Sequence, residues 1–214
     1  CNLETSINYT CGISKINSDN IECIIFNETS SNCESNVQIS IFQGLPKTDK
    51  MELIIQKSVE LGAYEITPIE MKRCVVKFDE KTKNKKIERW QKISEVAAKQ
   101  SGRDIVPKVN DIINVKNVCN LIQNYDIVLL AYENEQTNTL KDELLKIKNK
   151  ISNKINIGII IGPEGGIDKE EVELLKNSGA KVITLGKRIL RTETVALAMT
   201  SVIMYELEDL GGNI

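Results

Sequence analysis

The sequence predicts an α/β protein: a mainly parallel sheet with helices on both faces. Three observations carry that expectation. From residue 44 onward, strand-like and helix-like stretches alternate, which is the pattern of a sheet covered by its own connections. The run Asp126–Ala131 is strand-like, and Asn156–Ile161 and Lys181–Leu185 are short and rich in β-branched residues, as in buried parallel strands. The last two runs each lead into a glycine-containing loop that opens a helix.

Residues 1–43 read differently. Tyr9–Ile16, Ile21–Asn27 and Val37–Phe42 are β-like segments separated by Asn-, Ser- and Asp-rich turns, with no helical period. Three strands make a poor independent domain, so this piece is expected to be part of a barrel or to pack on the rest. Leu45-Pro46-Lys47 reads as a linker, dividing the chain into a small β domain at 1–43 and a larger α/β domain at 44–214. The first residue is Cys1 rather than methionine, which suggests a chain trimmed at its start.

In the larger domain, Lys50–Leu61 is an amphipathic helix with Met51, Ile54, Ile55, Val59 and Leu61 inward and Gly62 as its stop. A strand at Tyr64–Ile69 and an extended run at Arg73–Lys77 follow. Next is a basic helix from about Lys83 to Ser101, on which Ile87, Trp90, Ile93 and Ala97 share a side and which Gly102 ends. Helices are expected at Leu140–Lys150, at Lys169–Asn177 with an Asp168/Glu171 capping box and Gly179 as stop, and from Glu193 to about Leu210 with Thr192 as N-cap.

Composition narrows the chemistry. The chain has 214 residues, enough for a sizeable core, with 41% hydrophobic and 27% charged content and a net charge of −2. That balance gives no global attraction to nucleic acid, so any nucleic-acid surface must be a local basic patch. No run suggests a membrane span or signal peptide. The six cysteines form no Cys-x-x-Cys pair and read as free thiols in a reducing cytoplasm. The absence of histidine excludes a Ser-His-Asp triad and a histidine zinc site, and no metal is expected.

Two loops hold the most information. In Ile161-Gly162-Pro163-Glu164-Gly165-Gly166, the glycines allow backbone to touch a ligand and Pro163 stiffens the turn. The second runs Leu185-Gly186-Lys187-Arg188-Ile189-Leu190-Arg191-Thr192-Glu193-Thr194-Val195-Ala196. Loops at the carboxyl ends of successive parallel strands converge on one pocket.

The two loops, in this order and spacing, resemble those of the SPOUT RNA methyltransferases, most of all the ribosomal RNA small subunit methyltransferase E family. That family makes 3-methyluridine in small-subunit (16S) ribosomal RNA. The resemblance extends back to about Leu45 and less distinctly beyond. It implies a C-terminal trefoil knot, a PUA-like β-barrel of which residues 1–43 would be the second half, a cytoplasmic homodimer, and S-adenosylmethionine as cofactor. The cofactor would lie among Ala131, Tyr132 and Glu133, then Ile161, Gly162, Pro163, Glu164, Gly165 and Gly166, then Leu185, Gly186, Ile189, Leu190, Arg191, Thr194 and Ala196.

Methyl transfer to a uracil ring nitrogen requires loss of its proton, and a nearby cation favours the resulting anion. Arg191 is the candidate cation, with Glu164 or Glu193 as proton acceptor. Lys47, Lys50, Arg73 and Arg103 are candidates for RNA phosphate contact. Plainer readings stand beside these: Arg191 in a surface ion pair, Glu164 accepting helix N-terminal amides, Trp90 as a core anchor, Lys81–Arg89 as a solvated face, and Tyr132 capping the sheet. Other targets, such as a ribose 2′-hydroxyl or another rRNA or tRNA base, and a non-catalytic RNA-binding assembly factor remain open. A dinucleotide oxidoreductase fits poorly, since the first βα turn lacks Gly-x-Gly-x-x-Gly.

Overall fold

The structure, a computed structural model, describes residues 7–30, 33–148 and 154–207. Its centre is a seven-stranded sheet in which every recorded pairing is parallel. The strands are β3 (Val37–Gly44), β4 (Glu65–Glu70), β5 (Lys108–Val109), β6 (Ile113–Asn114), β7 (Ile127–Ala131), β8 (Ile155–Ile161) and β9 (Lys181–Ile183). Their order is β5-β4-β3-β8-β7-β9, with β6 pairing onto the end of β4. The helices are α1 (Lys50–Glu60), α2 (Glu80–Gln100), α3 (Val115–Leu121), α4 (Leu140–Lys148), α5 (Lys169–Asn177) and α6 (Thr192–Glu206). Helix α1 packs on α2 and α6, α6 also lies against β3 and β8, and α3 packs with α5.

The N-terminal segment departs from expectation in one major way. Val37–Gly44, grouped by its sequence with the small β piece, lies near the middle of the parallel sheet between β4 and β8. The reason is burial: Ile39 and Ile41 are fully buried and Phe42 nearly so, and a strand flanked on both sides needs apolar groups on both faces. The 43/44 boundary therefore falls inside the sheet, and Leu45 and Pro46 continue into the core instead of forming an exposed linker. Ahead of this strand, β1 (Ile7–Ile16) and β2 (Ile21–Ser30) form a separate antiparallel hairpin.

Most other elements follow the sequence closely. Glycine at 62 takes φ +95° and donates to the Val59 carbonyl, ending α1 as a left-handed stop. Trp90 is 3% exposed and belongs to the core. The basic run on α2 is a solvated face laced with ion pairs, Lys83 to Glu70 and Glu80, and Arg89 to Glu52. Residues 73–77 form turn and loop rather than an extended strand, and β5, β6 and α3 carried no recognised signal. The expected ends of α4 and α6, at Lys150 and Leu210, lie outside the described residues.

Two helix caps differ from expectation. Asp168 caps α5 by accepting from the Glu170 amide, but Glu171 accepts instead from the Lys72 amide, so the reciprocal half of the capping box is absent. Thr192 is the first residue of α6 rather than its cap; Arg191 occupies the N-cap position with extended backbone and no side-chain cap bond.

Candidate functional site

Three neighbouring strands, β8, β7 and β9, end side by side, and the loops leaving them enclose a cleft of about 520 Å³. That volume falls in the range of small-molecule sites. Ala131, Tyr132 and Glu133 form one wall, Ile161 to Ile167 a second, and Thr184 to Thr192 with Val195 the third. The polypeptide itself supplies much of the lining, because glycines occupy the turns.

Close approach, not flexibility, explains the first loop. A Cβ on Gly162 would stand 2.6 Å from Ile167 Cγ1, and one on Gly165 would stand 3.0 Å from the Arg73 carbonyl oxygen. Gly166 has φ +71°, and a Cβ there would lie 2.5 Å from a carboxylate oxygen of Glu133. At the end of β3, a Cβ on Gly44 would meet Pro163 Cδ at 2.7 Å and its nitrogen at 2.8 Å. Loop one is thus seated directly on its neighbours.

Charged groups surround the mouth. Lys50, from the first turn of α1, lies 3.1 Å from Glu164 and 3.1 Å from Glu193, bridging one carboxylate from each loop. These two partners, Glu164 foremost, raise the Lys50 ammonium above its ordinary pKa. Partial burial pushes the Glu164 carboxyl up, but backbone N–H groups including that of Lys47, and then Lys50, outweigh it and leave Glu164 below the usual carboxylate range. A carboxylate so held is a poor proton acceptor, so the geometry favours the structural reading of Glu164 over the catalytic one. Glu193 shares the same ammonium.

Of the residues expected around the cofactor, all but two line the cleft. Ala196 is fully buried within α6 and Thr194 is exposed: Val195, between them, faces the cleft, and each neighbour is turned about 100° around the helix from it. Tyr132 satisfies both of its readings, lining the cleft while packing partly against the core. Arg191 is exposed at the cleft wall beside the uncapped N-terminus of α6.

The phosphate candidates separate. Lys47 is exposed, and Arg73 is 45% exposed, with contacts to the Gly165 carbonyl and Asp168. Lys50 is committed to its two carboxylates. Arg103 does not belong with these: its side chain is 7% exposed, forks onto Glu34, and donates to the carbonyls of Val59 and Ala63. It ties the end of α1 to the segment before β3. Phosphate contact would require it to abandon partners that burial makes costly to leave.

Sequence reasoning missed Gln43, Thr184 and Ile167, and within the second loop, which it singled out as a whole, it gave no separate role to Lys187, Arg188, Thr192 or Val195. Gln43 was visible only as a polar residue in an apolar strand, a signal that in hindsight asks for a buried partner.

A cleft at the carboxyl ends of adjacent parallel strands, walled by backbone and rimmed by both carboxylates and guanidinium groups, defines an α/β protein with a site of small-molecule size. The comparisons give that class its family. Residues 33–204 match the RNA methyltransferase domain family, and the chain belongs to it. It is 38% identical over 203 residues to the ribosomal RNA small subunit methyltransferase E of Bacillus subtilis, an alignment covering 95% of this chain and 79% of that protein. The enzyme of the same name from Mesomycoplasma hyopneumoniae is 36% identical, with coverage of 81% and 72%. Among solved structures, the Neisseria gonorrhoeae ribosomal RNA small subunit methyltransferase E bound to S-adenosylmethionine superposes with a TM-score of 0.81 at 31% identity, covering 94% of this chain and 79% of that one.

Proposed function

We propose that this protein transfers a methyl group from S-adenosylmethionine to N3 of a uridine in small-subunit ribosomal RNA. The observation that carries the reading is the three-walled cleft, whose lining coincides with fourteen of the sixteen residues expected to meet the cofactor. The cleft suits that ligand. The strand-end walls offer main-chain donors and acceptors to an adenosine, and the Glu133 carboxylate beside Gly166 matches a donor that carries positive charge.

When bound, the cofactor supplies an electrophilic methyl group on a sulfonium; the protein supplies alignment and electrostatics. Arg191 is the residue assigned to the uracil anion. It projects from the N-cap of α6, where no side chain caps the first amides, so guanidinium and helix dipole act in the same direction. Stabilised in this way, the ring proton can leave to water at the open mouth of the cleft, where Ile189 is 87% exposed. Lys47 and Arg73 are assigned to RNA phosphates. Glu164 and Glu193 hold Lys50 rather than move the proton.

The same reading extends to architecture. A trefoil knot is supported by the path of the chain, which leaves β8, forms β9 beyond β7, and returns to pack α6 against β3 and β8. A small PUA-like RNA-binding unit is supported by the separate hairpin, whose Ile13, Ile16 and Phe26 are exposed. A homodimer acting in the cytoplasm completes it, and sedimentation equilibrium tests the dimer.

The decisive assay is transfer of labelled methyl from S-adenosylmethionine to small ribosomal subunits lacking the modification, followed by nucleoside analysis. Label in 3-methyluridine is expected; label on a 2′-hydroxyl or another base overturns the assignment. Arg191→Ala is expected to lower kcat at least tenfold with little change in cofactor affinity, because its contact forms in the transition state. An equal loss of both would assign Arg191 to cofactor binding.

A further inference from the structure

One chain of hydrogen bonds joins the two halves of the cleft from behind. Gln43, at the carboxyl end of β3, is fully buried and donates from Nε2 to the Gly44 carbonyl at 3.0 Å and to Thr192 Oγ1 at 2.8 Å. Thr192 Oγ1 in turn lies 2.7 Å from the Gly162 carbonyl oxygen. The proton order follows from chemistry alone. A carbonyl only accepts, so the single hydroxyl proton of Thr192 goes to Gly162, and Thr192 must accept from the amide of Gln43. The relay therefore runs in one direction, from β3 through the first residue of α6 to the first loop.

Its setting makes it more than a core contact. Thr192 follows Arg191 directly, and Gly162 opens the Gly-Pro-Glu-Gly-Gly loop, so the relay fixes the spacing between the wall assigned to the cofactor and the helix end assigned to the acceptor. Gln43 keeps this orientation although its Oε1 is buried without a partner, and the flipped amide would set oxygen against the Gly44 carbonyl. A buried amide left half satisfied is costly, and hydrophobic residues of similar size would fill the space without that cost.

We propose that Gln43 and Thr192 are positioning residues for methyl transfer: their relay holds the first loop and the α6 N-terminus at the separation that aligns methyl donor and acceptor. This rests on the function proposed above. Neither residue needs to touch the substrate, and the alignment they maintain matters because displacements of about 1 Å can cost about a hundredfold in rate.

The test compares Thr192→Val, which keeps the volume and removes the hydroxyl, with Thr192→Ser, which keeps the hydroxyl, and with Gln43→Met. Methyl transfer to modification-free small subunits gives kcat, and calorimetry gives S-adenosylmethionine affinity. Thr192→Val and Gln43→Met are expected to lower kcat about tenfold or more while cofactor affinity stays within about threefold, and Thr192→Ser should retain near-normal turnover. The double variant Gln43→Met/Thr192→Val should be no slower than the worse single one, since both break one unit.

Parallel loss of affinity and kcat, a serine variant as slow as the valine one, or multiplying losses in the double variant would overturn the proposal. Should Thr192→Val fail to fold, the serine and Gln43→Met variants still decide it by the same criteria. Absence of cofactor binding by the unaltered protein would instead overturn the proposed function, and this inference with it.

Discussion

The two loops that wall the cleft are built on opposite principles. Gly162–Gly166 is seated on the protein at every glycine: against Ile167, against the Arg73 backbone and beside Glu133, with Pro163 pressed on Gly44. The second loop stands away from it over Gly186–Ile189. A Cβ on Gly186 would meet nothing within 4 Å, and Lys187, Arg188, Ile189 and Arg191 are all exposed. The difference teaches how such a site divides its work. A seated loop presents a preformed surface whose shape is settled on folding, whereas an open one keeps side chains free to meet ligands and costs less when altered. The two arginines repeat the contrast, Arg103 locked in the body and Arg191 free at the rim.

Changes on the seated side should therefore be felt in stability. Arg103→Ala is expected to be the most severe, about 3 kcal/mol, because it removes the cation paired with the Glu34 carboxylate and the guanidinium donor shared by the Val59 and Ala63 carbonyls. Urea unfolding measures it. If the variant kept full stability but bound RNA with a weaker salt dependence, the phosphate role would be restored and the contrast between the arginines broken.

Gly44→Ala should cost about 2 kcal/mol by overpacking against the Pro163 backbone and should also weaken cofactor binding. Gly186→Ala faces only backbone strain, from φ +108°, and should cost about 1 kcal/mol. Thermal unfolding of the pair sharpens the comparison: equal losses would mean that the second loop is as firmly seated as the first.

The smallest effect concerns pH. Glu164 is held below its ordinary value of 4.5, so its contribution to stability is present above that value and is lost as pH falls through the lower folded-state pKa. The difference in melting temperature between the unaltered protein and Glu164→Gln should accordingly shrink as pH drops below about 4.5. A difference unchanged down to pH 3 would show that the Lys50 bridge contributes nothing to seating the loop.

Much of this was legible in the residues. The strands that flank the cleft announced themselves as apolar β-branched runs, α5 was bounded at both ends by local capping chemistry, and the two loops carried the glycines that main-chain recognition requires. Elements without such local signals were missed. The strands β5 and β6 span two residues each and α3 seven, too short to establish a period. Val37–Gly44 looked like its hairpin neighbours because strand character says nothing of which sheet a strand joins.

The sequence by itself determined the α/β class, the placing of a backbone-lined pocket after successive strands, and the family, because backbone conformation and apolar periodicity are properties of neighbouring residues. Tertiary structure alone decided which polar groups meet. Gln43 and Thr192 are 149 positions apart, and Arg103 is 69 from Glu34. Lys50 reaches carboxylates on both loops. A side chain's partner depends on how the sheet is ordered and where α6 returns across it. No local pattern encodes that, and so the same guanidinium chemistry became a structural tie at Arg103 and an open functional group at Arg191.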